Sequence, residues 1–274
     1  MIPQYDLTDK IVVITGGAGM LGQRHAEVVC ELKGVPVILD IDQDRIDVVV
    51  DRLNKDYGVG FGLSADIASE RNIKEAVDHI VSKFGSIHVL INNAALTARG
   101  MAERAADCFA SFEDYRLDIW EEMVKVNLTG HFICSKLIGK HMIQKKHGVI
   151  INIASEIGLI GPDQRIYKGI KNPYTGGPLS NPPGYSVTKA GLIHMTKYLA
   201  ACWGQHNIRV NTLCPGGVYD NHEENFVKNY SNLVPLARMA FKDEYKGAIA
   251  FLATDASSFM TGSTLVVDGG KTCW

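Results

Sequence analysis

Short runs of β-branched and aliphatic residues alternate along the chain with longer stretches of helical spacing. Ile11–Thr15 (IVVIT) reads as a strand buried on both faces, because no polar face interrupts it. Met20–Lys33 follows with helical spacing and stops at Gly34. The strand signal returns at Val35–Asp40, Val59–Ala65, Ile87–Asn92, Val149–Ala154, Ile208–Cys214 and Thr264–Val267. Helical patterns separate these runs at Asp44–Tyr57, Ser69–Phe84, Leu117–Lys146 (read as two helices), Tyr185–Gln205 and Lys242–Ala253. Continuous apolar strands alternating with helices predict an α/β fold: a Rossmann-type doubly wound parallel sheet of about seven strands flanked by helices.

Neither an internal repeat nor a dividing linker breaks the 274 residues, so a single dinucleotide-binding domain over 1–274 is expected. Inserted loops fall near 97–111 and 161–184. The second contains KNPYTGGPLSNPPG and is too long for a simple connection. It reads as a lid or binding loop, with a disordered surface excursion as the alternative.

Composition narrows the function class. At 46% hydrophobic and 21% charged residues, the chain can fill a sizeable core. A net charge of −2 leaves no electrostatic footprint for nucleic acid or an anionic membrane. The densest basic cluster, Lys145–Lys146–His147, fits a solvated helix C-terminus. Six widely spaced cysteines form no C-x-x-C, so no metal site is expected, and a reduced, cytoplasmic setting fits. MIPQYDLTDK lacks the apolar region of a signal peptide, and no apolar stretch approaches membrane-spanning length.

The first strand runs through Thr15-Gly16-Gly17-Ala18-Gly19-Met20-Leu21-Gly22 straight into a helix, and Gly17, Gly19 and Gly22 satisfy G-x-G-x-x-G. Such glycines allow a tight turn, close approach of backbone to a pyrophosphate, and close helix–strand packing. The helix start then offers amide N–H groups and a positive dipole end. Asp40 ends the second strand, where a carboxylate accepts from the adenosine ribose hydroxyls and repels a 2′-phosphate. NAD is therefore the expected cofactor; Asp42 could share this role, and a strand-end cap is the alternative for Asp40.

With these residues in place, the chain resembles the short-chain dehydrogenase/reductase family, in its compact single-domain branch, over nearly its whole length. The marks are Thr15–Gly22, Asp66, Asn92-Asn93-Ala94-Ala95, Asn127 in VNLTG, Ser155, Tyr185-Ser186-Val187-Thr188-Lys189, Pro215-Gly216 and Val267-Asp268-Gly269-Gly270. The resemblance implies that Gly16, Gly17, Gly19, Met20, Leu21 and Gly22 hold the pyrophosphate. Asp66 and Ile67 would hold adenine, and Asn93, Ala94 and Ala95 would line the adenosine side. Pro215, Gly216 and Val218 would meet the nicotinamide. It also implies a homotetramer, with a dimer as the alternative.

The chemistry can be followed without the family. Oxidising an alcohol needs a base for the hydroxyl proton, since the cofactor takes only the hydride. Free tyrosine, with a pKa of about 10, is too weak a base near neutrality. Lys189 lies one helical turn beyond Tyr185, where its ammonium would stabilise the phenolate. Ser155 would hydrogen-bond the substrate oxygen, and Asn127 would hold a water on a proton path to Lys189. The same Tyr-x-x-x-Lys pattern occurs at Tyr167–Lys171, but Asn-Pro and a Gly-Gly turn follow it. Tyr185 opens a long helix and is therefore the assigned base.

Two departures from the family stand out. Met20 occupies a position usually held by glycine, and Asp220 stands where a threonine usually meets the nicotinamide carboxamide. The Gly16/Gly19/Gly22 spacing also occurs in the extended branch. An NAD-recycling sugar epimerase or dehydratase, and a catalytically silent NAD-binding regulator, are therefore the rival readings. Within the family, YLAACWGQHNIRVN, PGGVYDNHEENFVKNY and DGGKTCW resemble bacterial oxidoreductases associated with flagellin modification and nonulosonic sugars. That implies a small polar, sugar-like substrate. Glu156, Asp163, Arg165, Tyr167, Asp220, Asn221 and His222 are the candidate contacts, equally compatible with a small hydroxy acid or another polar alcohol. His25, His79, His141, His194 and His206 have no partner spacing and read as surface or satisfied helix histidines.

Overall fold

Alternate residues of each central strand point to opposite faces, and both faces are dry. Val12 and Ile14 join one core cluster with Ile38, Ile91, Ile151 and Leu213, while Val13 joins another with Val37, Leu39, Leu90, Ile150 and Val210. A strand buried on both faces cannot alternate with polar residues, which is why these runs read as continuous apolar segments. The computed structural model describes residues 4–172 and 175–274. The strands are β1 (Ile11–Thr15), β2 (Val35–Asp40), β3 (Phe61–Ser64), β4 (Val89–Asn92), β5 (Gly148–Ile153), β6 (Ile208–Pro215) and β7 (Thr264–Val267). They form one 7-stranded sheet in the order β3-β2-β1-β4-β5-β6-β7, with parallel pairing throughout.

The helices are α1 (Met20–Glu31), α2 (Gln43–Tyr57), α3 (Glu70–Phe84), α4 (Leu117–Val124), α5 (His131–Lys145), α6 (Pro183–Trp203), α7 (Glu224–Ser231) and α8 (Lys246–Ala253). Residues of α1, α2 and α8 complete the first cluster, and residues of α3, α5 and α6 complete the second. This is the doubly wound sheet that the periodicity predicts. Strand order reverses between β1 and β4, and a crevice at such a switch point binds ligands at the carboxyl ends of the strands.

Several boundaries move for local reasons. The expected strand Val59–Ala65 pairs only over Phe61–Ser64. The segment Leu117–Lys146 is two α-helices joined by a π-helical turn at Lys125–Gly130, where a Cβ on Gly130 would lie 2.7 Å from Ile67. Such turns are rare and gather at functional sites. Helix α7, absent from the sequence expectation, starts where the Glu223 carboxylate accepts from the amides of Asn225 and Phe226. The two insertions are hooked together by the Ser180 hydroxyl, which donates to the carbonyl of Ala110, and the second is closed on itself where Gln164 accepts from the Asn181 amide at 2.9 Å. Ala98, Met101, Ala105 and Cys108 of the first insertion pack with Ile119 and Met123, and Tyr185 rests against this cluster.

A buried polar ladder crosses the sheet. Asn92 of β4 donates to Ser135 of α5 at 2.9 Å and to Asn152 of β5 at 2.8 Å. Asn152 donates to Thr196 of α6 at 2.8 Å, and Thr212 of β6 donates to the same hydroxyl at 2.6 Å. Among the described residues, no helix is long and apolar enough to cross a membrane, and no group of three or more His, Cys, Asp or Glu could hold a metal ion.

Candidate active site

The glycine-rich turn after β1 is built by close packing. Gly16 has φ +60°, and a Cβ there would lie 2.7 Å from Ala94 Cα. A Cβ on Gly22 would run into the Gly16 carbonyl and sit 2.7 Å from Gly17 Cα. A Cβ on Gly17 would lie 2.9 Å from both Ile14 O and Ile38 Cγ2. Gly19 is less confined, since a Cβ there would meet only Gly16 O, at 3.1 Å. Gly19 is the N-cap of α1 and brings no side-chain acceptor, so no side-chain cap takes up the amides of that first turn. Met20 is half-exposed at this mouth, with Leu21 beside it.

Asp40 is placed as the sequence implies, at the carboxyl end of β2 facing the turn. Its carboxylate accepts from the amides of Ala18 at 3.1 Å and Ile41 at 2.9 Å. Asp42 caps α2, one of its oxygens accepting from the Arg45 amide at 3.1 Å. The Asn93 side chain donates to the carbonyls of Thr15 and Gly16, both at 3.0 Å, tying β4 to the turn. Ala94 packs behind Gly16, and Ala95 continues the strand end. Asp66 turns back to accept from the Ala68 amide at 2.9 Å. Ile67 is buried against Gly130, so its side chain belongs to the core and not to an open adenine face. The turn, the uncapped helix start and Asp40 together fit a dinucleotide.

Ser155 follows β5, and Tyr185 and Lys189 stand one turn apart at the start of α6. The Lys189 ammonium donates to Ile153 O at 2.7 Å and lies 5.5 Å from the centroid of the Tyr185 ring. Lys189 is buried, and burial pulls its pKa down to about 8. Burial pushes the Tyr185 phenol up; the Glu156 charge adds to the rise, and a hydrogen bond with Ser155 opposes it. Tyr167 stands elsewhere, against Phe226 with ring centroids 5.8 Å apart, and the backbone turns away at Gly169 with φ +80°. The structure thus brings Ser155, Tyr185 and Lys189 together.

Asn127 lies in the π-helical turn. Its side-chain amide accepts from Leu96 N at 2.6 Å and donates to Leu96 O at 3.0 Å. It ties that turn to the segment just after β4. His25, read as a surface or satisfied helix residue, is fully buried beside Asn93, and desolvation lowers its pKa to about 4.

Pro215, Gly216 and Val218 follow β6 as a braced segment. The Gly216 amide donates to Val267 O at 2.9 Å, its carbonyl accepts from Tyr245 at 3.0 Å, and Val218 bridges to Ala240. Beyond it, Asp220 and Asn221 line an open cleft with Met20, Tyr219, Phe241, Lys242 and Asp243. Asp163 binds Arg165, which is otherwise exposed to solvent. Glu156 corrects the sequence reading. It is 4% exposed, and its oxygens take hydrogen bonds from Ser155 at 3.0 Å, Tyr230 at 3.0 Å and Lys271 at 2.9 Å. It lies behind Ser155 and has no face left for a substrate. The sequence reading missed Phe226, Tyr230 and Lys271; the first two are spaced i, i+4 on α7, whereas nothing local singles out Lys271.

A family model described as short chain dehydrogenase matches residues 10–171, and one described as enoyl-(acyl carrier protein) reductase matches 174–272. The chain is similar to a D-threitol dehydrogenase of Mycolicibacterium smegmatis, 28% identical over 98% of this chain and 95% of that one. It is also 28% identical to post-translational flagellin modification protein A of Campylobacter coli, covering 96% of this chain and 98% of that one. Among solved structures, a short chain dehydrogenase from Leptospira borgpetersenii with bound NAD+ superposes with TM-score 0.84 at 32% identity, covering 99% of this chain and 96% of the other. The turn, the Ser155–Tyr185–Lys189 cluster and these likenesses agree: the chain belongs to the short-chain dehydrogenase/reductase family.

Proposed function

We propose that the protein is an NAD(H)-dependent oxidoreductase that interconverts a secondary alcohol and a ketone on a small polar, sugar-like molecule. The observation that carries this reading is the cluster of buried Ser155 and Lys189 with half-buried Tyr185, beside a turn shaped for a dinucleotide. Bound NAD+ supplies the acceptor for the hydride that leaves the alcohol carbon with its electron pair. The protein handles the proton. Tyr185, as phenolate, takes it from the hydroxyl, and Lys189 stabilises that phenolate. Ser155 hydrogen-bonds the substrate oxygen. In the reverse direction Tyr185 returns the proton to the alkoxide oxygen as hydride arrives.

Asp40 favours NAD over NADP, because a 2′-phosphate would meet its carboxylate at the end of β2. The sugar-like substrate class rests on polar groups at the cleft (Asp220, Asn221) and on relatives named for D-threitol oxidation and flagellin modification. Asp163, Arg165 and Tyr167 belong to this class of contact through the second insertion. We further place the protein in the cytoplasm, in line with six free cysteines, as one domain assembled into a homotetramer. Exposed Phe132, Val187 and Tyr198 on α5 and α6, and Val266 on β7, suit subunit contacts. The test is a panel of polyols, sugars and nucleotide sugars assayed with NAD+ and NADP+. Net NADH formation that Tyr185→Phe abolishes supports the reading. Turnover without net NADH, or turnover unaffected by Tyr185→Phe, overturns it.

A further inference from the structure

Behind the catalytic cluster lies a buried ion pair that the proposed reaction does not use. Glu156 and Lys271 are both almost wholly buried and meet at 2.9 Å. Glu156 Oε1 also accepts from the Tyr230 hydroxyl, which in turn accepts from the Gly217 amide. Lys271 lies 4.5 Å from the centroid of the Tyr230 ring. Glu156 Oε2 faces the opposite way and accepts from the Ser155 hydroxyl at 3.0 Å. One carboxylate thus joins the segment after β5, the segment after β6, helix α7 and the turn after β7.

A carboxylate paired with an ammonium has no proton to give, so Ser155 must donate to it. Ser155 has only one hydroxyl proton. It cannot serve Glu156 and a second acceptor together. We propose that Glu156, held by Lys271 and Tyr230, is a positioning residue that competes with Tyr185 and substrate for the Ser155 hydroxyl, and so governs how Ser155 is presented. This inference rests on the oxidoreductase reading above. With the phenol protonated, Ser155 turns its proton to Glu156 and its lone pairs to Tyr185. When the phenol ionises, Ser155 must turn its proton from Glu156 toward the phenolate.

Both the charge of Glu156 and its claim on Ser155 therefore oppose ionisation of Tyr185, in line with the causes of its raised pKa. The other titratable groups around the phenol are Lys189 on its own helix and, across the first insertion, Cys108 and Tyr115. Around Glu156 stand Lys271, Tyr230, Tyr245, Cys214 and Asp268. Asp268 is committed to its own turn, accepting from the Gly270 and Thr272 amides. Glu156 is thus the carboxylate in direct contact with Ser155.

The experiment compares Glu156→Gln, the paired change Glu156→Leu/Lys271→Met, and each combined with Ser155→Ala. The paired change leaves no unpaired buried charge, and such apolar replacements are commonly tolerated. Two readouts are taken: phenolate ultraviolet absorbance of the NAD+ complex against pH, with Tyr185→Phe as blank, and the pH profile of kcat/KM. In Glu156→Gln, both the Tyr185 midpoint and the acid limb should move to lower pH by about 1 unit. The paired change should move the midpoint in the same direction with NAD+ affinity kept, and the shift should be smaller in the Ser155→Ala background, where only the charge effect is left. An unmoved midpoint in Glu156→Gln, or a shift of equal size without Ser155, overturns the proposal. The absorbance readout needs no substrate, so it separates failure here from failure of the oxidoreductase reading, which Tyr185→Phe turnover decides.

Discussion

Replacing Lys189 by Met removes the ammonium beside Tyr185 while filling most of the same buried space. With the charge 5.5 Å from the ring centroid, the attraction to a phenolate is about 3 kcal/mol at an effective dielectric constant of about 20. That corresponds to about 2 pKa units, or about 100-fold in phenolate population near neutrality. The sign follows from the charge: the ammonium favours ionised Tyr185, so its loss moves the ionisation to higher pH. Lys189 itself, with its pKa pulled to about 8 by burial, gives this support most fully below that pH. The two groups titrate as a coupled pair, and the profile reports the pair. The assay is kcat/KM for alcohol oxidation against pH, followed by NADH absorbance, with NADH affinity measured separately by fluorescence. An acid limb displaced upward by about 2 units is expected. A limb that stays in place, in a folded variant that still binds NADH, would refute the assignment of Lys189 as the phenolate's partner.

Other outcomes follow from the same geometry. Asp40→Asn removes the charge facing a 2′-phosphate, and the NAD+/NADP+ ratio of kcat/KM should fall by about 100-fold; an unchanged ratio would show that Asp40 does not discriminate. Gly22→Ala drives a methyl group into the Gly16 carbonyl, so thermal unfolding should show a loss of about 1–3 kcal/mol together with weaker NADH binding. Tyr167→Phe should keep most turnover, because its hydroxyl meets Asn181 at 3.5 Å and its ring packs on Phe226; loss equal to that of Tyr185→Phe would reassign the base. Light scattering at micromolar concentration should give the mass of a homotetramer, and a monomer would rule out the assembly proposed from α5, α6 and β7.

The sheet was legible because its strands are buried on both faces, and continuous aliphatic runs such as Val35–Asp40 have few other uses. The turn after β1, Asp40, Ser155 and the Tyr185–Lys189 pair were legible for a related reason: each sits at a strand end or helix start that the pattern already located. What failed was long-range or side-chain specific. Glu156 follows Ser155 directly and so read as a cleft residue, yet its cation comes from Lys271, 115 positions along the chain. The partner of the Asn127 amide, Leu96, likewise lies 31 positions away and carries no local signal. Helix α7 is short and polar, and only its contacts to Glu156, Tyr167 and Gly217 reveal what it braces.

The ladder through Thr196 bears on how steadily α6 can present its first turn. Thr196 donates to Leu192 O at 3.0 Å and accepts from Asn152 and Thr212, so this hydroxyl acts as a dowel between one helix and two strands. A slip of α6 by a single residue would travel about 1.5 Å and rotate the helix by about 100°. It would break both inbound bonds and strand polar atoms in a dry interior. The sheet thereby indexes the helix to one setting, and the reach of Tyr185 is fixed from a point some three turns away.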